Sequence, residues 1–439
     1  MLRLAAPLAV TELGWTVMGI VDTIMAGRLS AAAVGAGSLG NMLFYPIAIA
    51  GTGMLLGMDT LVAQAFGAGE ARDCRRSLVN GMWLAAALSP IVCVILMLLV
   101  PAIRAAGVNQ EVFEEFKPYL TALLWGIPPL LFTAAFRRYL QAVDVVKPML
   151  YAMIAANLLN IAGNWVLMFG HLGVPAMGLT GSGWSTSISR YVMAAIGAAA
   201  IVLHERKSDG VLWRVSWAPD FARIGSLIRL GLPAGLQMLF EGSVFGLVTV
   251  WAARLSEGAL AAHSIAVQVI ATNFMVPLGI SSAAAVRVGQ AIGRGDKVGA
   301  SSAGWTALGI SAAFMGTAAT VMIVAPHLIV RLFIDDPAVI SAGAPLLRIA
   351  ALFELFDGFQ IVATGALRGI GDTRSAMIAH ALGYWAVGVP AGYVLCFSRQ
   401  YGAPGIWIGL TAALILIGLA LVAVWWRKIR TVRAVAAVY

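Results

Sequence analysis

The sequence predicts an all-α membrane protein, with twelve transmembrane helices in two six-helix lobes related by a parallel pseudo-two-fold axis along the membrane normal. Three observations predict it. Of the 439 residues, 60% are hydrophobic and only 11% charged, where a soluble chain of this length carries about 25% charged residues. Apolar runs long enough to cross a bilayer, about 20 residues each, recur along nearly the whole chain. The sequence also repeats itself at an offset of about 226 residues.

The apolar runs place helices at about 4–26, 32–58, 78–102, 118–140, 148–169, 178–203, 229–252, 260–286, 302–333, 343–367, 376–397 and 403–426. The first run is too long for the apolar core of a signal peptide and carries Glu12 and Asp22, so it reads as the first membrane helix. Cys74, Cys93 and Cys396 form no close-spaced cluster, which argues against a metal site or a disulfide framework. Cys93 lies in an apolar run, where a free cysteine is usually a small packing residue.

The net charge of +9 raises nucleic acid as a partner, and its distribution argues against it. With the N-terminus inside, 21 of the 29 Lys and Arg residues fall on cytoplasmic segments and seven on outer ones, with Arg190 inside a helix. That asymmetry is the orientation signal of an inner-membrane protein with both termini cytoplasmic. The basic charge faces anionic lipid, so membrane lipid is an expected partner.

The repeat rests on four matches in one order. Arg3-Leu4 and Pro7 match Arg229-Leu230 and Pro233, and the segment from Val62 to Glu70 matches that from Val288 to Asp296. Leu140-Gln141-Ala142 matches Leu367-Arg368-Gly369, and Gly173 with Pro175 matches Gly402 with Pro404. The offset spans six helices, an even number, so the two halves share one orientation. The expected organisation is an N-lobe at 1–203, a polar cytoplasmic linker at 204–228, a C-lobe at 229–426 and a cytoplasmic tail at 427–439. Two like-oriented lobes around a cleft suit alternating access.

In these residues the sequence resembles the multidrug and toxic compound extrusion (MATE) family, in particular its NorM-like bacterial branch. The resemblance is carried by VDTIMAG at 21–27, by the paired loops VAQAFGAGE and VGQAIGRGD, by Gly279-Ile280-Ser281 and by the stretch from Thr364 to Thr373. It runs from about residue 3 to residue 426. It implies a monomeric antiporter of the bacterial inner membrane that exports organic, often cationic small molecules in exchange for a monovalent cation, H⁺ or Na⁺. No other cofactor and no enzymatic activity are implied.

A carboxylate inside a membrane helix costs at least about 2.5 kcal/mol on insertion scales and calls for a reason. Glu354, Asp357, Gln360 and Thr364 recur at helical spacing on one face of the tenth helix. The plainer alternative is a stripe that bonds a neighbouring helix, but two acids exceed what packing requires. Asp357 stands ten residues before Leu367, where the family carries its tenth-helix acid. Glu241 lies at the centre of the seventh helix, eight residues after Pro233, with Gln237 one turn below on the same face. That is the family's spacing for its seventh-helix glutamate. The resemblance makes Glu241 and Asp357 the main cation-coupling site, and Na⁺ there stays open beside H⁺.

Asp22 lies inside VDTIMAG and is the candidate for a second coupling site in the N-lobe. Asn160 and Asn164, on one face of the fifth helix, resemble the amide cluster that relatives place beside that aspartate. Ser264, Gln268 and Thr272 recur every four residues on the eighth helix and are candidates for lining the C-lobe cavity. Glu12 and Asp59 match no family position; Glu12 reads either as a gate or as an interhelical bond.

No GxxxxGK[ST] loop is present, so ATP does not drive the chain directly, and no zinc motif or nucleophile elbow appears. Two rival readings remain. A flippase for lipid-linked saccharides of the same superfamily shape requires basic groups at mid-membrane, where this chain places acids and the single Arg190. A non-transporting receptor requires a sensory domain for which the chain has no room.

Overall fold

The structure is a computed structural model that describes residues 1–105, 107–207 and 215–431. Arg214 and Arg433 of the basic set, and the tail beyond Thr431, lie outside the described residues. Among the described residues every regular element is helical. Among these residues eleven helices are long and apolar enough to cross a membrane, and a pair bent by 43°, taken as one span, makes twelve.

We label the spans α1 (Leu2–Gly27), α2 (Ala31–Gly67), α3 (Ala71–Ala105), α4 (Gln110–Leu124 with Ile127–Ala142), α5 (Lys147–Met168), α6 (Gly178–Lys207), α7 (Phe221–Ala253), α8 (Glu257–Gly293), α9 (Lys297–Val324), α10 (Pro337–Gly369), α11 (Arg374–Ser398) and α12 (Ala403–Thr431). The order and number are those expected from the apolar runs, but most spans extend further at one or both ends. The loops VAQAFGAGE and VGQAIGRGD are loops only in their last residues. Val62–Gly67 closes α2 and Val288–Gly293 closes α8. The ninth apolar run breaks after Val324, and Pro326 opens a separate six-residue helix, Pro326–Arg331, because proline cannot continue the hydrogen-bond ladder.

The seventh helix begins at Phe221 rather than near 229, inside the segment expected to be linker. Asp220 accounts for this. Its Oδ1 accepts from the backbone N–H of Ala222 (3.1 Å) and Arg223 (3.2 Å), satisfying donors a helix start leaves open. A hydropathy reading passes over this first turn because its residues are not uniformly apolar.

The repeat is visible in backbone detail. Ser30 and Ser256, 226 positions apart, both adopt extended φ (−165° and −167°) and cap α2 and α8 by accepting from the third N–H beyond them. Gly69 and Gly295 take φ +78° and +74° just past those helices, Asp144 and Gly371 take +64° and +84°, and Leu172 and Gln400 both take +58°. Positive φ is costly outside glycine, so its recurrence at matched positions reflects one ancestral backbone path in both halves.

The chain divides into two compact units, Thr11–Gly235, and Met1–Val10 together with Leu236–Tyr439. The first unit therefore takes the start of α7, and the second takes the start of α1. Close backbone approach explains both assignments. A Cβ on Gly231 would lie 1.7 Å from the Met54 carbonyl oxygen, and one on Gly279 would lie 2.5 Å from the Ala9 nitrogen. Only glycine permits such approaches.

Candidate functional site

In the second unit, α7, α10 and α11 bring five polar side chains together. Gln237 and Glu241 lie one turn apart on α7, and Gln237 Nε2 donates to Glu241 Oε2 at 3.0 Å. On α10, Gln360 Nε2 donates to Asp357 Oδ1 at 3.0 Å and reaches Glu241 Oε1 at 3.4 Å. One amide thus bridges the two acids. The fifth member is His380, whose Nε2 lies 2.8 Å from Gln360 Oε1, 3.4 Å from Gln237 Nε2 and 3.8 Å from Glu241 Oε2. Gln360 and His380 are fully buried, while the Glu241 side chain keeps 17% of its surface.

Sequence reasoning missed His380. It stands where the α-helical turns Arg374–His380 give way to the π-helical stretch Ala381–Gly388. A π-helical stretch adds residues per turn and shifts which side chains face a neighbour, so α-helical spacing does not find them; such bulges concentrate at functional sites. A lone histidine in an apolar run was the available signal.

Glu354, Thr364 and Gln268, expected as supporting or cavity-lining residues, do not bond to this cluster. Glu354 is fully buried one turn before Asp357, with the Asn273 side chain of α8 as its polar neighbour, in geometry that leaves both carboxyl oxygens without a well-formed hydrogen bond. The buried Thr364 hydroxyl is without a partner. The Gln268 amide points to Thr272 on its own helix, at 3.5 Å. The motif residue Ser281 serves packing instead, since its hydroxyl donates to the Ile361 carbonyl at 2.6 Å.

In the first unit, Asp22 of α1 meets α5 and α6. Asn164 Nδ2 donates to Asp22 Oδ1 at 2.7 Å, and the Thr186 hydroxyl donates to Oδ2 at 3.2 Å. Asn160 Nδ2 donates to Thr186 at 3.2 Å, and Asn164 lies 3.5 Å from Asn160 Oδ1. The structure thus joins Asp22, Asn160 and Asn164 and adds Thr186. Asn164 opens the π-helical segment Asn164–Met168, so each cluster has a member at an α-to-π junction on the fifth helix of its half. Asp22 opens onto a small recess also lined by Ser38, Asn41, Tyr119 and Ser182. Arg190 is buried nearby in α6 with its guanidinium 4.7 Å from the centre of the Phe44 ring, a cation–π contact.

Two further buried carboxylates of this unit are paired. Glu12 bonds Arg137 across α1 and α4, which favours the interhelical bond over the gate, and Asp59 lies 3.5 Å from Arg138. Among the described residues, no three His, Cys, Asp or Glu side chains are placed to hold a metal ion.

The fold and these two buried polar clusters define a multi-pass helical membrane protein with titratable groups inside its helical units. The profile of the MatE family matches the chain twice, at residues 7–166 and 233–394. The two matches start 226 positions apart and end 228 apart, reproducing the offset of the internal repeat. The chain is 38% identical over 98% of its length, and 93% of the relative's, to a probable multidrug resistance protein NorM of Mesorhizobium japonicum. It is 33% identical over 95% of its length, and 89% of the relative's, to the multidrug resistance protein PmpM of Pseudomonas aeruginosa. In fold it is similar to the crystal structure of the eukaryotic MATE transporter AtDTX14, with a TM-score of 0.87, 18% identity, and 98% and 96% of the two chains covered. It is similar also to an outward-facing multidrug resistance MATE family transporter, with a TM-score of 0.88, 20% identity, and 98% and 95% covered. The chain belongs to the MatE family, whose members are secondary transporters and not enzymes.

Proposed function

We propose that the chain is an antiporter of the bacterial inner membrane that exports organic, often cationic compounds by alternating access, and that Glu241 and Asp357 couple export to cation entry. The observation that carries this reading is the Gln360 bridge between two acids on different helices of one unit. Two carboxyls that share one donor in an apolar surround compete for the same positive charge. A proton or an organic cation satisfies that demand, and exchange between the two is antiport. The names of the NorM and PmpM relatives support a drug-like substrate.

The proton is the favoured coupling ion. With the Gln237 and Gln360 nitrogens towards them, Glu241 and Asp357 face donors, whereas a hard metal cation takes a shell of oxygens. One proton exchanged for one monovalent organic cation moves no net charge. Each additional entering charge contributes about 2.3 kcal/mol per 100 mV.

The test is efflux of ethidium from proteoliposomes with a proton gradient or a sodium gradient imposed separately. Efflux driven by the proton gradient is expected. Efflux driven by sodium alone overturns the choice of ion, and efflux under neither gradient overturns the antiport reading.

A further inference from the structure

The hydrogen bonds around Gln360 carry a proton count. His380 Nδ1 lies 2.8 Å from the Ala376 carbonyl oxygen, so Nδ1 carries a hydrogen. On the other side of the ring, Nε2 lies 2.8 Å from one end of the Gln360 amide, and the other end of that amide faces Asp357 and Glu241. An amide has one donor end and one acceptor end. With nitrogen towards the acids, its oxygen faces His380, and Nε2 must carry a second hydrogen. The ring is then an imidazolium between two carboxylates. With the amide turned by half a turn, its nitrogen donates to a neutral ring, and its oxygen faces two acids, one of which must present an O–H. Each orientation thus requires at least one proton, on the ring or on the acid pair, and with one such proton the cluster carries a net charge of −1.

We propose that His380 is the third proton-carrying residue of this site and exchanges one proton with the Glu241–Asp357 pair, the Gln360 amide reorienting with it. In the step, the Nε2–H bond of the imidazolium breaks, its electron pair stays on nitrogen, and an O–H bond forms on Glu241, whose carboxyl turns that hydroxyl towards the Gln360 oxygen. Glu241 Oε2 is 3.8 Å from Nε2, a gap that a side-chain shift or one bridging water closes. The other titratable groups are few. Tyr384, on α11 itself, has its ring 5.9 Å from that of His380 and a buried hydroxyl without a partner. α10 contributes Glu354 beside Asp357, α7 contributes Glu241, and α12 carries charge only at its Arg427–Arg430 end. Because the internal proton leaves one negative charge uncompensated, the site retains affinity for a further proton or for an organic cation. That last consequence rests on the antiport reading; the proton exchange does not.

The experiment has two arms. In the first, purified protein labelled with ¹⁵N-histidine is titrated by NMR, and pH-difference infrared spectra follow the carboxylic-acid carbonyl band. His380 is expected to change from a doubly to a singly protonated ring as that band changes, and the Asp357→Asn variant is expected to move the midpoint roughly tenfold in proton concentration. A His380 ring that stays neutral while both acids stay ionised overturns the proposal, as does a midpoint indifferent to Asp357→Asn. In the second arm, His380→Gln keeps a hydrogen-bonding side chain and removes the titration. It is expected to shift the pH profile of proton-driven ethidium efflux; an unaltered profile overturns the proposal. If His380→Gln does not fold, the first arm decides alone. Wild-type protein without gradient-driven efflux would refute the antiport reading and leave the first arm valid.

Discussion

Gln360 and Glu241, 119 positions apart in sequence, meet at 3.4 Å through the amide nitrogen that also binds Asp357 at 3.0 Å. Because a single donor serves both acids, the acids are expected to act as one unit. Glu241→Gln and Asp357→Asn should each lower gradient-driven efflux by roughly tenfold or more, about 1.4 kcal/mol, with normal folding and membrane insertion. Asp22→Asn should reduce efflux less. Full efflux from the Glu241→Gln, Asp357→Asn double variant at normal expression would refute the coupling site.

Glu12 and Arg137 form a pair whose side chains are about nine-tenths buried. Removing one partner strands the other charge, so Glu12→Gln is expected to destabilise the protein by about 3 kcal/mol. Thermal unfolding in detergent measures this. Efflux per folded molecule should persist, and replacing both residues by apolar side chains of similar size should recover much of the stability. A Glu12→Gln protein of normal stability that has lost transport would instead make Glu12 a gate.

Asp372, in the turn between α10 and α11, is held by Lys428 at 2.6 Å and accepts from the Ser375 N–H. Burial pushes its carboxyl upward, but the bonds from Lys428 and Ser375 outweigh burial and hold it below its ordinary value. A depressed folded-state value stabilises the fold above the unfolded value, near 3.9, and this contribution is lost as pH falls through the folded-state value. Asp372→Asn should therefore cost about 1 kcal/mol at neutral pH, since Lys428 is largely solvated. The difference from wild type should shrink as pH falls below the unfolded value and vanish once pH is below the folded-state value. A difference that persists unchanged into acid would refute the ion-pair account.

α8 and α10 touch backbone to backbone where Gly365 meets Ser281. A Cβ on Gly365 would lie 2.2 Å from the Ser281 carbonyl oxygen. Gly365→Ala must separate the helices and is expected to cost about 1–3 kcal/mol, read as a lower unfolding temperature. An unchanged unfolding temperature would show that the helices separate freely.

The orientation predicted from the basic residues is open to labelling. With Cys74, Cys93 and Cys396 replaced, a single cysteine at Ser208 should react with a membrane-impermeant reagent only after permeabilisation. Reaction in intact cells would reverse the topology.

Much of the Asp22 cluster was legible because Asp22 lies in a motif that resembles the family's and Asn160 and Asn164 share one face of an apolar run, as the family's amide cluster does. Glu241 and Asp357 stood out at the family's spacings, with Gln237 and Gln360 on the same helical faces. Thr186 did not, because α6 carries serines and threonines at many positions and only the fold selects the one beside Asp22. The span boundaries shifted where capping, rather than hydropathy, ends a helix, as at Asp220 and Pro326.

The sequence by itself determined the number and order of the spans and the repeat. Each of these follows from composition and period, which the backbone must obey in lipid. Only the tertiary structure decided who meets whom. It placed one amide between Glu241 and Asp357, left Glu354 and Thr364 without well-formed hydrogen bonds, and turned His380 into the cluster. Those outcomes depend on helix packing at glycine contacts and on π-helical segments, whose long-range geometry no local pattern encodes.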